Sequence, residues 1–250
     1  MRGASAPFPT MNASLPFVGR AKEANQLRRW HARRKHVLIL GPAGIGKTAL
    51  VTRLKEKLDL LICPQSEHLG AICESLEPQV GLDAGGLRLL QRKQRLRQAL
   101  AEAGRIVVFD RVGWTTPKLS SFLEAVMQRV PIWICARSEH SWDIGHFWPL
   151  LVRFEKLEVH PFHPAETREV VKAAVRTGLV AGEALGVVRW LHYRSSGNPL
   201  VLRAFLEELA AREYDLSNPH ALRRLELDRR IHEMFPLEVT FENHIPSRHD

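Results

Sequence analysis

Residues 41–48 read Gly41-Pro42-Ala43-Gly44-Ile45-Gly46-Lys47-Thr48, which fits the pattern G-x4-G-K-[ST]. The apolar run Val37-Leu38-Ile39-Leu40 stands directly before it, and a helix-compatible segment starts at Lys47. That context makes the pattern a phosphate-binding loop, because a buried strand delivers it and a helix leaves it. The glycines let the backbone wrap closely, so that successive N–H groups face phosphate oxygens. The helix N-terminus, with Ala49 in its first turn, adds its positive end. Lys47 is then expected to reach the β- and γ-phosphates, and the Thr48 hydroxyl to ligate Mg2+. Such a strand–loop–helix unit belongs in a layered α/β fold, which leaves few architectures open.

The rest of the sequence supplies the remaining layers. A helix is expected from about Arg20 to Arg34, a strand over His36–Leu40 and a helix over 47–58. A strand over 58–63, ended by Pro64, and a helix over 67–77 capped by Ser66 follow. In the helical stretch Leu87–Ala103, Leu89, Leu96, Leu100 and Ala103 lie roughly on one face. Arg105–Asp110 is short and almost continuously apolar, as strands covered on both faces are. Pro117 opens a helix to about Arg129, Pro131–Ala136 is a fourth strand and Phe154–Val159 a fifth. Strands separated by helices predict the α/β class, here a P-loop NTPase three-layer sandwich with a five-stranded parallel sheet. After His160-Pro161 only helices are expected, at about 165–176, 182–194, 199–213 and 218–233. The organisation read from this is a lead-in over 1–16, a P-loop core over 17–160, a helical lid over 161–234 and a tail over 235–250.

Composition narrows the setting. Among 250 residues, 45% are apolar and 25% charged, which excludes disorder of the whole chain. No apolar run approaches the roughly 18 residues of a membrane helix. Residues 1–16, with Pro7, Pro9 and Pro16, lack the apolar centre of a signal peptide. Cys63, Cys73 and Cys135 form an odd, sparse set, which points to a reducing, cytoplasmic compartment, and the short apolar runs predict no membrane partner. The spacing Cys63-x4-His68-x4-Cys73 lacks an obvious fourth ligand, and His140, His146, His160 and His163 follow no H-x-x-x-H pattern. Neither group is read as a metal site. Trp133 is expected in the core, and Trp114, just after the third strand, at the nucleotide mouth or on a partner surface.

The net charge of +9 is concentrated in two segments. Segment 20–35 holds Arg20, Lys22, Arg28, Arg29, Arg33, Arg34 and Lys35 against the single Glu23. Segment 88–97 holds Arg88, Arg92, Lys93, Arg95 and Arg97 with no acid. Each reads either as a solvated helix face or as a footprint for duplex DNA.

A phosphate loop of this kind requires an acid at the end of another buried strand, to hold Mg2+ through water. Asp110, which closes Ile106-Val107-Val108-Phe109, fits that role. Asp110-Arg111-Val112-Gly113 also reads as DxxG, but no N-K-x-D follows to read guanine, so GTP is set aside.

Taken in order, these motifs resemble the AAA+/STAND ATPases, particularly the replication-initiator-like and NB-ARC-like branches, over about 17–213. Phe17-Val18-Gly19-Arg20 precedes the loop by some 20 residues, where that family places a box against the adenine. The resemblance assigns Asp110 to the Walker B acid and Arg137, in Cys135-Ala136-Arg137, to the sensor-1 position. It assigns Ser196-Gly197-Asn198-Pro199-Leu200 to the lid motif, with Pro199 near the base. ATP or ADP and Mg2+ are the implied cofactors, held between core and lid. Arg111 stands where the family keeps a second acid to polarise the attacking water. A guanidinium accepts no proton near neutral pH, so hydrolysis is expected to be slow or absent unless a carboxylate such as Glu139 substitutes. Leu200 replaces the AAA+ sensor-2 arginine, which favours the STAND side, where nucleotide acts as a switch. Arg153 matches an arginine finger and so implies a homo-oligomer; the other reading is an exposed arginine at a strand start. The resulting expectation is an ATP·Mg-dependent switch with slow or partner-stimulated hydrolysis, acting on a protein partner or its own copies. The alternatives are an adaptor assembling on duplex DNA and a catalytically degenerate nucleotide-binding scaffold.

Overall fold

A computed structural model describes residues 18–83 and 85–234. Phe17, the lead-in over 1–16 and the tail over 235–250 lie outside the described residues. The chain runs α1 (Ala21–Ala32), β1 (Val37–Leu40), α2 (Lys47–Lys55), β2 (Leu60–Cys63), α3 (Leu69–Leu76), α4 (Leu89–Ala103), β3 (Ile106–Phe109) and α5 (Pro117–Met127). It continues through β4 (Ile132–Ala136), α6 (Ser141–Ile144), β5 (Glu155–Glu158), α7 (Pro164–Arg176), α8 (Val188–Ser195), α9 (Pro199–Ala211) and α10 (Pro219–Met234).

The five strands form one sheet in the order β2-β3-β4-β1-β5, with every pairing parallel. Successive side chains of a strand point to opposite faces, and here both faces are covered. Leu38, Leu40, Leu61, Val107, Phe109, Ile132 and Ile134 pack on one side, against Ile72 of α3, Leu96 of α4 and Phe122 of α5. Val37, Ile39, Leu60, Ile106, Val108 and Trp133 pack on the other, against Leu27 of α1 and Leu50, Val51 and Leu54 of α2. This double coverage is why β1, β3 and β4 read as unbroken apolar runs rather than as alternations. Strand β5, one of the two edge strands, is the exception. Glu155, Lys156 and Glu158 line it, and charges of this kind blunt an edge against further strand pairing.

A third apolar cluster stands apart from the sheet. Val171 and Ala174 of α7, Val188 and Leu191 of α8, Leu202, Phe205 and Leu206 of α9 and Leu225 of α10 surround one another, with Phe162 at the junction. Among the described residues no helix is long and apolar enough to cross a membrane.

Local details depart from the sequence expectation. The helix expected over 182–194 is a 3-10 turn, Gly182–Val187, followed by α8; two glycines in that turn weaken an α-helix. Helix α3 is capped by His68, whose ring accepts from Ala71 N at 3.1 Å, not by Ser66. Ser66 is buried and donates to the Cys63 carbonyl instead. Helix α6 and the 3-10 turn Trp148–Arg153 carry no strong apolar period and were not anticipated.

Candidate nucleotide site

Strand β1 ends at Leu40 and the loop 41–46 turns into α2. Gly41, Gly44 and Gly46 all hold positive φ, at 151°, 75° and 96°. The latter two conformations are those that a Cβ disfavours. The disposition of the loop's backbone polar groups is one-sided. Every carbonyl from Gly41 to Gly46 is satisfied. Lys47 Nζ donates to Gly41 O at 2.6 Å and Pro42 O at 3.0 Å. Asn198 Nδ2 donates to Ala43 O at 3.0 Å, and Leu200 N to Gly44 O at 3.2 Å. Arg20 donates to Ile45 O at 3.1 Å, and Leu50 N to Gly46 O at 2.9 Å. Among the described residues, the N–H groups of Ala43, Gly44, Gly46, Lys47 and Thr48 meet no acceptor. A cluster of unmatched donors at a helix N-terminus is the chemistry of an anion site.

The clamps on the outer side of the loop come from two distant segments. Arg20, only 4% exposed, also pairs with Glu23 at 3.1 Å. It lies over the Phe162 ring at 4.6 Å, so one guanidinium ties the start of α1, the loop and the helical cluster together. Asn198 caps α9 by accepting from Leu200 N at 3.0 Å while its amide reaches the loop. A Cβ on Gly44 would meet Leu200 Cβ at 2.8 Å and Asn198 Oδ1 at 2.9 Å. The start of α9 therefore rests on the phosphate loop with no room to spare.

Across the sheet, β4 lies between β1 and β3, yet the first turn of α2, which follows β1 and the loop, meets the residue just after β3. Thr48 Oγ1 donates to Asp110 Oδ2 at 2.6 Å, and Arg111 N donates to Asp110 Oδ1 at 2.9 Å. Asp110 is 1% exposed. Arg111 adopts a left-handed conformation, φ 53°, which for a residue with a side chain costs on the order of 1–2 kcal/mol. That turn is what aims its N–H at the Asp110 carboxylate. Burial lowers the pKa of Lys47, with the Asp110 carboxylate opposing the shift and Arg137 adding to it. The buried Cys135, between these groups on β4, has its thiol pushed well up by burial and stays neutral.

The other residues singled out in the sequence are placed as follows. Val18 and Pro199 are half-buried, Pro199 at the first position of α9. Ala49 is exposed in the first turn of α2. Arg137 is exposed just past β4, where the strands' C-terminal ends converge with the loop. Arg153 is exposed at the end of the 3-10 turn before β5. Arg111 is exposed, and Glu139 is engaged by Lys156 of β5. Cys63, His68 and Cys73 form no metal cluster; among the described residues no group of three His, Cys, Asp or Glu side chains does. Trp133 is fully buried and Trp114 is exposed. The sequence reading missed Asn198 and Arg20 as carbonyl donors. Both lie within motifs that it assigned to the nucleotide, and nothing local signals a bond across 155 or 25 residues of chain.

No protein-family model matches this chain, and no curated protein matches its sequence. Solved structures do match its backbone. The Aeropyrum pernix Orc1 protein, in a complex with DNA, superposes with a TM-score of 0.61 at 16% identity, over 88% of this chain and 69% of that one. The chain has the fold of the AAA+ P-loop ATPases. A Walker-type ATPase of Pyrococcus abyssi gives a TM-score of 0.61 at 15% identity, covering 89% of this chain and 75% of that one. A STAND protein of Pyrococcus horikoshii with a tetratricopeptide repeat sensor gives 0.54 at 15% identity, covering 90% of this chain but 34% of its own length. At such identities the AAA+ likeness is one of architecture, and the chemistry is argued from this chain's own residues.

Proposed function

We propose that this chain binds ATP with Mg2+ between the phosphate loop and the helical cluster, and acts as a nucleotide-dependent switch. The observation that carries the reading is the Thr48–Asp110 hydrogen bond of 2.6 Å beside the loop's unmatched N–H groups. It brings together a hydroxyl and a buried carboxylate 62 residues apart, the donor set that a hard divalent cation takes. When bound, the Mg2+ would neutralise charge on the phosphates as they are held.

The chain's own residues do the rest. The N–H groups of Ala43, Gly44, Gly46, Lys47 and Thr48 bind phosphate oxygens, and Lys47 exchanges the Gly41 and Pro42 carbonyls for the β- and γ-phosphates. Phe17, Val18 and Pro199 flank the base. Arg137 faces the terminal phosphate from β4, and Arg153 serves a neighbouring copy as a finger. Arg111 occupies the place of a general base and cannot accept a proton. With Glu139 held by Lys156, turnover is slow or awaits a partner. Residues 161–234 act as the lid on the 17–160 core. Because the lid bonds to the loop's carbonyls at Ala43 and Gly44, a change in the loop on phosphate binding biases core–lid closure. The three buried free cysteines suit a reducing cytoplasm.

A calorimetric titration of ATP·Mg tests the reading: the wild-type chain binds, Lys47→Ala does not, and steady-state hydrolysis stays slow. Unchanged affinity in Lys47→Ala overturns the site.

A second reading, an adaptor on duplex DNA, is favoured by α4. Among the described residues Arg88, Lys93, Arg95 and Arg97 make no ion pair, whereas Arg92 is bound twice by Glu77 at 2.9 and 2.6 Å. In segment 20–35, Arg20 is buried, Lys35 pairs with Glu155, and Arg34 donates to the Gly104 carbonyl. Helices α1 and α4 also cover opposite faces of the sheet, so one straight duplex cannot engage both segments. Duplex affinity that falls steeply with salt and with neutralisation of Lys93 and Arg95 supports this reading, and a flat salt profile removes it.

A further inference from the structure

Two segments that leave the C-terminal ends of β3 and β4, beside the site, carry three indoles that face solvent. Trp114 is 60% exposed, Trp142 69% and Trp148 51%. They come from two segments, 111–116 after β3 and 137–153 after β4, and the buried Thr115 pins the two together. Thr115 N donates to Ile144 O at 3.0 Å, its hydroxyl donates to the same carbonyl, and Phe147 N donates to that hydroxyl at 2.9 Å. Two imidazoles extend the aromatic surface. His140 stacks on Trp142 with centroids 4.4 Å apart, and His146 meets Trp114 edge-on at 6.3 Å. Large apolar rings at this exposure are costly in water unless something covers them.

Cations outnumber acids around these rings. Arg111, Lys118 and Arg137 stand on the same two segments or directly beside them, and among the described residues none makes an ion pair. The two acids between 137 and 153 are both engaged, Glu139 by Lys156 and Asp143 by Ser138. Exposed aromatic faces among unpaired cations fit a polyanion whose flat groups can stack. A single-stranded nucleic acid is that polyanion: its bases are unpaired and its phosphates lie within reach of the arginines. A duplex offers its phosphates but keeps its bases stacked internally.

We infer that this face binds single-stranded nucleic acid, with bases stacking on Trp114, Trp142 and Trp148 and the backbone tracking Arg111 and Lys118. This inference does not rest on ATP being the ligand of the phosphate loop.

The test is fluorescence anisotropy of a labelled 20-nucleotide oligo(dT) with the full chain at about 50 mM salt, repeated at rising salt. Binding is expected, with a log–log salt slope of roughly −0.7 for each phosphate engaged. Trp114→Ala and Trp142→Ala should each weaken it about tenfold, the order expected for the loss of one stacked base. Trp142→Phe should restore most of the loss, since it keeps an aromatic face. Arg97→Ala serves as a control, because Arg97 lines a groove with Arg129, which precedes β4 at the opposite end of that strand. It should change little. Absence of oligo(dT) binding overturns the proposal. So does binding that Arg97→Ala weakens and the tryptophan substitutions do not, or equal competition by duplex DNA. Sedimentation in which the tryptophan variants dissolve a self-association, with no oligo(dT) bound by the wild type, also overturns it and assigns the face to a second copy. Lys47→Ala should bind oligo(dT) normally, which separates failure here from failure of the nucleotide site.

Discussion

Asn198 performs two tasks that a pair of substitutions can separate. Its Oδ1 caps α9 by accepting from Leu200 N at 3.0 Å, and its Nδ2 holds the loop carbonyl of Ala43 at 3.0 Å. Asn198→Ala removes both. Loss of a helix cap costs about 1 kcal/mol, and loss of a solvent-accessible hydrogen bond about 0.5 kcal/mol. The sum, about 1.5 kcal/mol, corresponds to a melting temperature lower by about 3–6 °C for a chain of this size. Asn198→Ser keeps an oxygen able to cap but has no amide to reach Ala43. It should recover about two thirds of the stability. Both variants leave the Ala43 carbonyl without its clamp, so both should loosen the loop. The expected readouts are faster hydrogen exchange of the amides over 43–48 and ATP·Mg bound about 2- to 5-fold more weakly, equivalent to about 0.5–1 kcal/mol. Thermal melts, exchange mass spectrometry and calorimetry measure the three quantities. The reasoning is refuted if the Ala and Ser variants melt together, or if neither changes the exchange of the loop.

Two glycines should behave oppositely when replaced. Gly197 has φ 67°, and a Cβ there would lie 2.4 Å from the Phe162 carbonyl oxygen, so Gly197→Ala should cost roughly 2–5 kcal/mol in denaturant unfolding. Gly182 has open space around it, so Gly182→Ala should be neutral or stabilising by up to about 1 kcal/mol; equal destabilisation of the two would contradict this. Stability should also depend on His36. Burial lowers its pKa, helped by Arg153, and its Nδ1 accepts from Ile132 N at 3.1 Å. The unfolded chain therefore takes up the proton first, so stability falls as pH drops below about 6.5, the unperturbed histidine value. His36→Asn should flatten that part of the profile, which chemical denaturation at pH 5, 6 and 7 would reveal.

Much of this molecule is legible in local stretches of chain. The phosphate loop announces itself because close backbone approach needs glycine and phosphate needs Lys47 and Thr48 at fixed offsets. Strands β1, β3 and β4 announce themselves because strands covered on both faces must be apolar throughout. Asp110 could be picked out as the strand-end acid for the same reason. Other features are long-range and have no local signal. The order β2-β3-β4-β1-β5 decides that Cys135 and Arg137 stand between the loop and Asp110, and no single strand encodes its neighbours. The Trp face exists only because Thr115 binds Ile144 and Phe147; in the sequence its tryptophans are scattered. The clamps on the loop are of the same kind. Residue chemistry and spacing made these N–H groups a phosphate cradle in prospect. Only the folded chain, by bringing Arg20 and Asn198 onto the carbonyls of Ala43 and Ile45, satisfies the outward side of the loop and leaves the inward donors unmatched.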